Sequence, residues 1–186
     1  LVASGEDIDG EARLADTLAP RSARILDAGC GMGRVAAALV ARGHDVVGVD
    51  LDDALLRQAT ETYPGLALVR SRLDDLDADL LTAAGHNASF DLIVCVGNVM
   101  ILCAPDTERT VLARLRALLA PNGRILVGFH TFVSLEHARE YPAAEFAADC
   151  EAVGLRVESR FAGYDLKPYD PAGDYAVHVL AAANPD

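Results

Sequence analysis

Tryptophan is absent from this 186-residue chain, and five Phe and five Tyr bring the aromatic share to only 5%. A hydrophobic fraction of 52% is therefore carried by aliphatic residues and alanine, which predicts an aliphatic core. Basic residues are scarce as well. The 16 Lys and Arg stand against 28 Asp and Glu, for a formal charge of −12 and an isoelectric point near 4.7. A surface that tracks phosphate backbones needs clustered Lys and Arg, so no nucleic-acid partner is expected. No run reaches the roughly 20 apolar residues of a membrane span, and no basic-apolar signal segment opens the chain, so no membrane association is expected. The first residue is Leu1, so a trimmed N-terminus is expected. Cys30, Cys95, Cys103 and Cys150 include no C-x-x-C pair, which predicts reduced thiols packed as small hydrophobes in a cytoplasmic protein. Glu136-His137 with Glu140 lacks a matching second pair of ligands, so no metal site is expected.

What the chain does contain is a glycine-rich bend. Ile25 to Val35 reads ILDAGCGMGRV: a short apolar segment ends in Asp27, and the chain turns through Gly29, Gly31 and Gly33 before a helix opens at Arg34. Glycines serve positions that demand φ above zero and clear the way for a ligand approaching the backbone. The free amides of the helix N-terminus face whatever lies over the bend. Such a loop cradles a nucleotide. The dinucleotide pattern G-x-G-x-x-G fails from Gly29, where Arg34 takes the place of the last glycine. Its G-x-G-x-x-A variant fits from Gly31 through Gly33 and Ala36, so the glycines alone leave NAD open. Asp27 tips the balance, because a carboxylate beside the loop repels a pyrophosphate at short range. The same acid suits a ligand with an ammonium group. S-adenosylmethionine has one, along with a sulfonium, a ribose and an adenine, and it carries no phosphate.

Strands and helices alternate along the rest. A helix from Gly10 to Leu18 precedes strand Arg24 to Ala28; helix Arg34 to Arg42, with apolar Val35, Ala38, Leu39 and Val40, is closed by Gly43. Strand Asp45 to Val49 ends in Asp50, helix Asp53 to Tyr63 stops at Pro64-Gly65, and strand Ala67 to Val69 follows. Ser71 to Gly85 reads as a loop with a short helix, and Phe90 to Val94 as a fourth strand. Pro105-Asp106 starts a helix with the stripe Val111, Leu112, Leu115, Leu118 and Leu119; Pro121-Asn122-Gly123 turns into strand Arg124 to Phe129. A helix from Pro142 to Val153 and strands Leu155 to Phe161 and Tyr175 to Leu180 complete the chain. The pattern predicts one domain over residues 1–186, an α/β doubly wound, Rossmann-like three-layer sandwich.

In open parallel sheets ligands bind outside the carboxyl ends of the strands, near the reversal of strand order. Asp50 there offers two acceptor oxygens to the vicinal hydroxyls of a ribose, and Leu51 an apolar face to an adenine. Asp27 to Gly33 resembles motif I of the class I S-adenosylmethionine-dependent methyltransferases, and Val46 to Asp50 their acidic second motif. Phe90 to Val94 is similar to their fourth-strand motif, and Leu118 to Arg124 to the turn before their fifth strand. The resemblance implies a seven-stranded sheet of order 3-2-1-4-5-7-6 with the last strand antiparallel. It also implies that Asp27 holds the methionine ammonium, that Gly29, Cys30 and Gly31 line methionine and ribose, that Asp50 takes the diol, and that Leu73 meets the adenine. Where the family often has an acid for the adenine amino group, this chain has Arg72, which cannot accept a hydrogen bond. Asp74 takes over, or Arg72 stacks on the ring, or it pairs with a neighbouring acid.

Cys95, Val96, Gly97 and Asn98 follow the fourth strand, where the family brings donor and acceptor together; Asn98 is a candidate to orient a polar acceptor group or to cap the next turn. His130, after the fifth strand, is the candidate base or a rim histidine hydrogen-bonded to backbone. His178, inside the last strand, is expected to be a satisfied structural residue, and Tyr141, Tyr164 and Tyr169 to be acceptor walls or packing. The implied function is in-line methyl transfer from S-adenosylmethionine to a small molecule, with S-adenosylhomocysteine as product. The alternative is a non-catalytic S-adenosylmethionine sensor or scaffold of the same fold. The oligomeric state is not readable from the sequence.

Overall fold

The computed structural model describes residues 9–131 and 138–183. Apolar runs that do not alternate need cover on both faces, and the chain provides it by returning through a helix after most strands. The strands are β1 Arg24–Ala28, β2 Asp45–Asp50, β3 Ala67–Arg70, β4 Phe90–Cys95, β5 Leu119–His130, β6 Leu155–Phe161 and β7 Tyr175–Ala182. They form one sheet in the order β3-β2-β1-β4-β5-β7-β6. Only β7 is antiparallel to its neighbours. The order and the reversed strand are those the resemblance implied.

Helices α1 Gly10–Leu18 and α2 Arg34–Ala41 cover one face, where Leu14, Val35 and Leu39 pack on Ile25, Leu92 and Val94. On the other face lie α4 Ala78–Ala83, α5 Val99–Leu102, α6 Glu108–Ala117 and α7 Ala143–Ala152, with Leu81, Met100, Leu112 and Phe146 on Leu26, Ile93 and Val127. Helix α3 Asp53–Thr62 links β2 to β3. These are the two helical layers of the expected sandwich.

Several expectations need correction. The helix assigned from Pro105 begins at Glu108, because Asp106 has φ +64 and cannot start a right-handed turn. Leu119 leaves that helix and opens β5, pairing with Phe90. The strand then continues through the expected turn at Pro121–Gly123: Leu92 next pairs with Arg124, so the intervening residues loop out as a bulge around Asn122 at φ +64. Helix α5 went unread. Four apolar residues, Val99 to Leu102, are too few to display a period. Within α2, Ala36 is buried and Val40 exposed, because the buried stripe follows Val35 to Leu39.

Candidate active site

Strand order reverses between β1 and β4, so the loops after these strands part and open a crevice at their carboxyl ends. Gly29, Gly31 and Gly33 all have positive φ, at +83°, +52° and +77°. A Cβ on Gly29 would stand 2.4 Å from Val99 Cγ2, and one on Gly33 2.8 Å from Leu66 Cδ1. One on Gly31 would meet nothing within 4 Å. Two of the glycines are therefore required by packing, while the third presents bare backbone to open space.

Asp50 holds that backbone in place. Its Oδ2 accepts the Gly31 N–H at 2.8 Å and its Oδ1 the Asp52 N–H at 2.9 Å. Each oxygen keeps a second lone pair for a ligand. Capping of α3 falls instead to Asp52, whose Oδ1 accepts from Ala54 at 2.7 Å and Leu55 at 3.3 Å.

A cleft of about 390 Å³ joins Gly29, Gly31, Asp50, Leu51, Arg72, Leu73 and Gly97. Leu51 and Leu102 leave 60% and 53% of their surface uncovered at its edge, with Leu55 beside them and Val111 deeper. Uncovered apolar side chains around one cavity suit a flat ring. Val99, Leu102, Cys103, Thr107 and Val111 were not foreseen as lining: the first three lie on or next to the unrecognised α5, and Thr107 and Val111 lie at the start of α6, whose apolar stripe was read only as core. Val99 and Leu102, three apart on α5, face the cleft, while Met100 and Ile101 are buried.

Arg72 pairs with Asp74 at 2.7 Å and approaches Asp75 at 3.7 Å, so of the three alternatives the structure has the neighbouring acid. The exposed Arg72 guanidinium holds the Asp74 carboxyl below its ordinary range.

Several expected residues lie behind this lining rather than in it. Cys95 is fully buried in the core. Val96 is buried against the opposite helical layer. Cys30 packs beneath β2, where a Cβ on Gly48 would stand 2.9 Å from its Sγ. Burial raises both thiols far above their ordinary pKa, so neither is a reactive group. Asp27 also lies behind the loop, 2% exposed, and its Oδ2 has no hydrogen-bond partner among the described residues. Burial pushes its carboxyl up to about 7, against the smaller opposing pull of the Ala36 amide and Arg34.

Asn98 and His130 meet. Asn98 Oδ1 accepts the His130 backbone N–H at 2.9 Å and lies 3.0 Å from His130 Nδ1. The Tyr175 ring packs on the imidazole with centroids 4.7 Å apart. Tyr175 and Tyr164 join their hydroxyls at 2.9 Å over Gly128, where a Cβ would stand 2.0 Å from Tyr164 Oη. Asn98 therefore serves His130 rather than capping α5, where it makes no side-chain bond.

The remaining candidates are structural. Tyr141 is fully buried, stacked on Phe129 and bonded to Asp149 Oδ2 at 2.7 Å. Tyr169 lies beneath the Arg160 guanidinium. His44 accepts from the Ala23 N–H at 3.2 Å and reaches Asp16 at 3.0 Å. His178 departs from expectation: it is fully buried against Phe129 and Phe146, but neither ring nitrogen has a partner among the described residues. Burial, helped by Arg160, lowers its pKa to about 3. Glu136 and His137 lie outside the described residues, and Glu140 is exposed.

The S-adenosyl group fits these residues on four counts: open backbone at Gly31, free lone pairs on Asp50, uncovered leucines for a ring, and a buried carboxylate oxygen on Asp27 without a partner. Known proteins agree. A family model described as a methyltransferase domain matches residues 25–123. The crystal structure of a TehB-like SAM-dependent methyltransferase from Corynebacterium glutamicum is 38% identical, with TM-score 0.85 over 98% of this chain and 92% of that one. An uncharacterised methyltransferase of Mycobacterium tuberculosis is 36% identical over 115 residues, 61% of this chain and 54% of its own length. A ubiquinone biosynthesis O-methyltransferase of Thiobacillus denitrificans is 34% identical over 116 residues, 60% of this chain and 46% of its own length. The chain thus spans about half the length of the curated relatives it matches. On this evidence the chain belongs to the class I S-adenosylmethionine-dependent methyltransferase family.

Proposed function

We propose that this chain forms one domain that binds S-adenosylmethionine in the cleft and directs its methyl group in line onto a small-molecule acceptor, leaving S-adenosylhomocysteine. The observation that carries the reading is the cleft itself, in which Gly29, Gly31, Asp50, Leu73 and Gly97 converge from four different strand ends. When bound, the group supplies a methyl already activated by a positively charged sulfur. The chain's residues then have three tasks: to hold, to align and to keep water out.

Asp50 accepts the ribose diol with the lone pairs that Gly31 and Asp52 leave free. Leu51, Leu73 and Leu102 enclose the adenine, with the Arg72–Asp74 pair at its polar edge. Asp27 offers its unpartnered oxygen to the methionine ammonium, directly or through water. Cys30, Cys95 and Val96 act from behind, as packing that fixes the loops. His130 takes the acceptor's proton.

The charge of −12 supports a small molecule over a nucleic acid, and a relative named for ubiquinone biosynthesis supports the same size of acceptor. Four free thiols support a reducing compartment, which we take to be the cytoplasm. Among the described residues no helix is long and apolar enough to cross a membrane.

Calorimetry with S-adenosylhomocysteine and with NAD tests the site, and release of label from methyl-labelled S-adenosylmethionine in the presence of an acceptor library tests turnover. Binding of the first compound with acceptor-dependent turnover is expected. Binding without turnover for any acceptor would favour a sensor, and tighter binding of NAD would end the reading.

A further inference from the structure

We infer that Asn98 is a positioning residue that fixes the tautomer of His130, holding the ring proton on Nδ1 and leaving Nε2 as the base for a protic acceptor, a hydroxyl or thiol. The inference rests on the methyltransferase reading and adds to it the class of acceptor.

The argument begins with the Asn98 amide, whose two ends look alike in shape but differ in chemistry. A backbone N–H can only donate, so the amide atom 2.9 Å from His130 N must be the carbonyl oxygen. That same oxygen lies 3.0 Å from His130 Nδ1. A carbonyl oxygen only accepts, so Nδ1 carries the proton and neutral His130 has its lone pair on Nε2. Nε2 has no hydrogen-bond partner among the described residues and is not one of the solvent-excluded polar atoms.

The backbone reinforces the arrangement. Asn98 adopts φ +73, a left-handed conformation that Asn tolerates better than most residues, and its N–H bonds Gly128 O at 3.3 Å. Main chain and side chain of Asn98 together clasp the end of β5. Its neighbours Gly97 and Val99 both line the cleft, and Asn98 between them ties the imidazole to that stretch of chain, although neither Asn98 nor His130 is itself a lining residue. Tyr175 from β7 is the titratable side chain packed against the ring. No carboxylate or cation lies within ion-pair distance of it among the described residues.

A base with a free Nε2 is useful only to an acceptor that arrives protonated. As the O–H or S–H bond breaks, its electron pair stays on the heteroatom and forms the new bond to the methyl carbon. The proton passes to Nε2, giving an imidazolium, and the pair of the broken carbon–sulfur bond returns to sulfur. His130 then releases the proton to water. Asn98 touches none of the reacting atoms in this scheme and acts only through the ring.

Nitrogen-15 NMR of the histidine rings in the ligand-free protein tests the tautomer without any turnover. Above neutral pH the His130 signals of the wild type should show a protonated Nδ1 and an unprotonated Nε2. Asn98→Gly, which accepts the positive φ, should lose that pattern while S-adenosylhomocysteine binding stays within about twofold. With the acceptor found by the turnover assay, Asn98→Gly should lower kcat roughly 10- to 100-fold, with the KM for S-adenosylmethionine nearly unchanged. Asn98→Asp should restore part of the rate and move the rising limb of the pH profile to higher pH, because a carboxylate holds the imidazolium's proton. A wild-type spectrum with the proton on Nε2, or an Asn98→Gly enzyme with unchanged kcat and pH profile, would overturn the inference and leave the methyltransferase reading standing. Failure of the wild type to bind S-adenosylhomocysteine would instead remove that reading.

Discussion

Replacing Asp27 by Asn should make the protein more stable and a poorer binder at once. The carboxyl is 2% exposed, and burial holds its pKa near 7 where an unfolded chain has 3.8. One pKa unit corresponds to about 1.4 kcal/mol, so ionised Asp27 costs the fold about 4 kcal/mol. The folded state binds this proton more tightly than the unfolded chain does. Stability from the neutral acid is therefore complete below the unfolded pKa, declines as pH rises, and is gone above the folded pKa. About half of the loss, roughly 2 kcal/mol, falls between pH 5.5 and pH 8. Asn cannot ionise, but its NH₂ in place of the unpartnered Oδ2 leaves a buried donor unsatisfied, at about 1–3 kcal/mol. The variant should therefore gain about 1–3 kcal/mol at pH 8 and show little or no gain at pH 5.5. Urea unfolding of both proteins at the two pH values reads this directly. Other titrating groups cancel in the difference between them. In thermal melts the same contrast of about 2 kcal/mol amounts to roughly 4–8 °C. At pH 8 the variant should bind S-adenosylhomocysteine more weakly, having lost the anionic partner of the ammonium. Stability differences that stay constant from pH 5.5 to pH 8 would refute the reasoning, because the carboxyl would then not be the buried, raised group described above.

Asp50→Ala should weaken S-adenosylhomocysteine binding by about 1–3 kcal/mol in calorimetry, and by more than the ribose contact alone if the released Gly31 amide also lets the loop drift. Equal affinities would place the ribose elsewhere. Gly29→Ala should lose both binding and stability, because its Cβ would stand 2.4 Å from Val99 at a φ that L-residues rarely adopt. Unfolding and calorimetry should register both losses together. His178→Leu should flatten the acid limb of the stability curve. With its folded pKa lowered to about 3, the neutral imidazole contributes stability that is complete above the unfolded value of 6.5 and is lost as pH falls through that window towards 3. Chemical unfolding at pH 5 and pH 8 checks it: wild type and variant that lose equal stability on acidification would show that His178 is not the group responsible.

The layered α/β architecture, the glycine bend and the two early carboxylates were legible in the chain because each rests on local chemistry, whereas the seven-stranded order came only from the resemblance to the methyltransferase family. A run without alternation has to be covered on both faces, and three glycines at alternate positions have few other uses. The Arg72 departure was legible as a problem, since a guanidinium lacks an acceptor, but its solution depended on where Asp74 came to rest. The bulge at Asn122 and the late start of α6 escaped because each depends on one residue adopting a left-handed conformation, and that choice is made by neighbours in space. His178 was misjudged for a similar reason. Nothing local reveals that its ring packs on Phe129 of the neighbouring β5 and Phe146 of α7.

By itself the sequence determined which chemistry this protein can offer: an acid before a bare bend, an acid after the second strand, a histidine after the fifth. Only the tertiary structure decided how those groups are used. It withdrew Asp27 from water and left an oxygen without a partner, it gave Asp50 the Gly31 amide, and it set Asn98 against His130 from a strand 32 positions away. Proton affinity, tautomer and exposure are set by neighbours from other segments of the chain, and those neighbours exist only once the strands lie side by side.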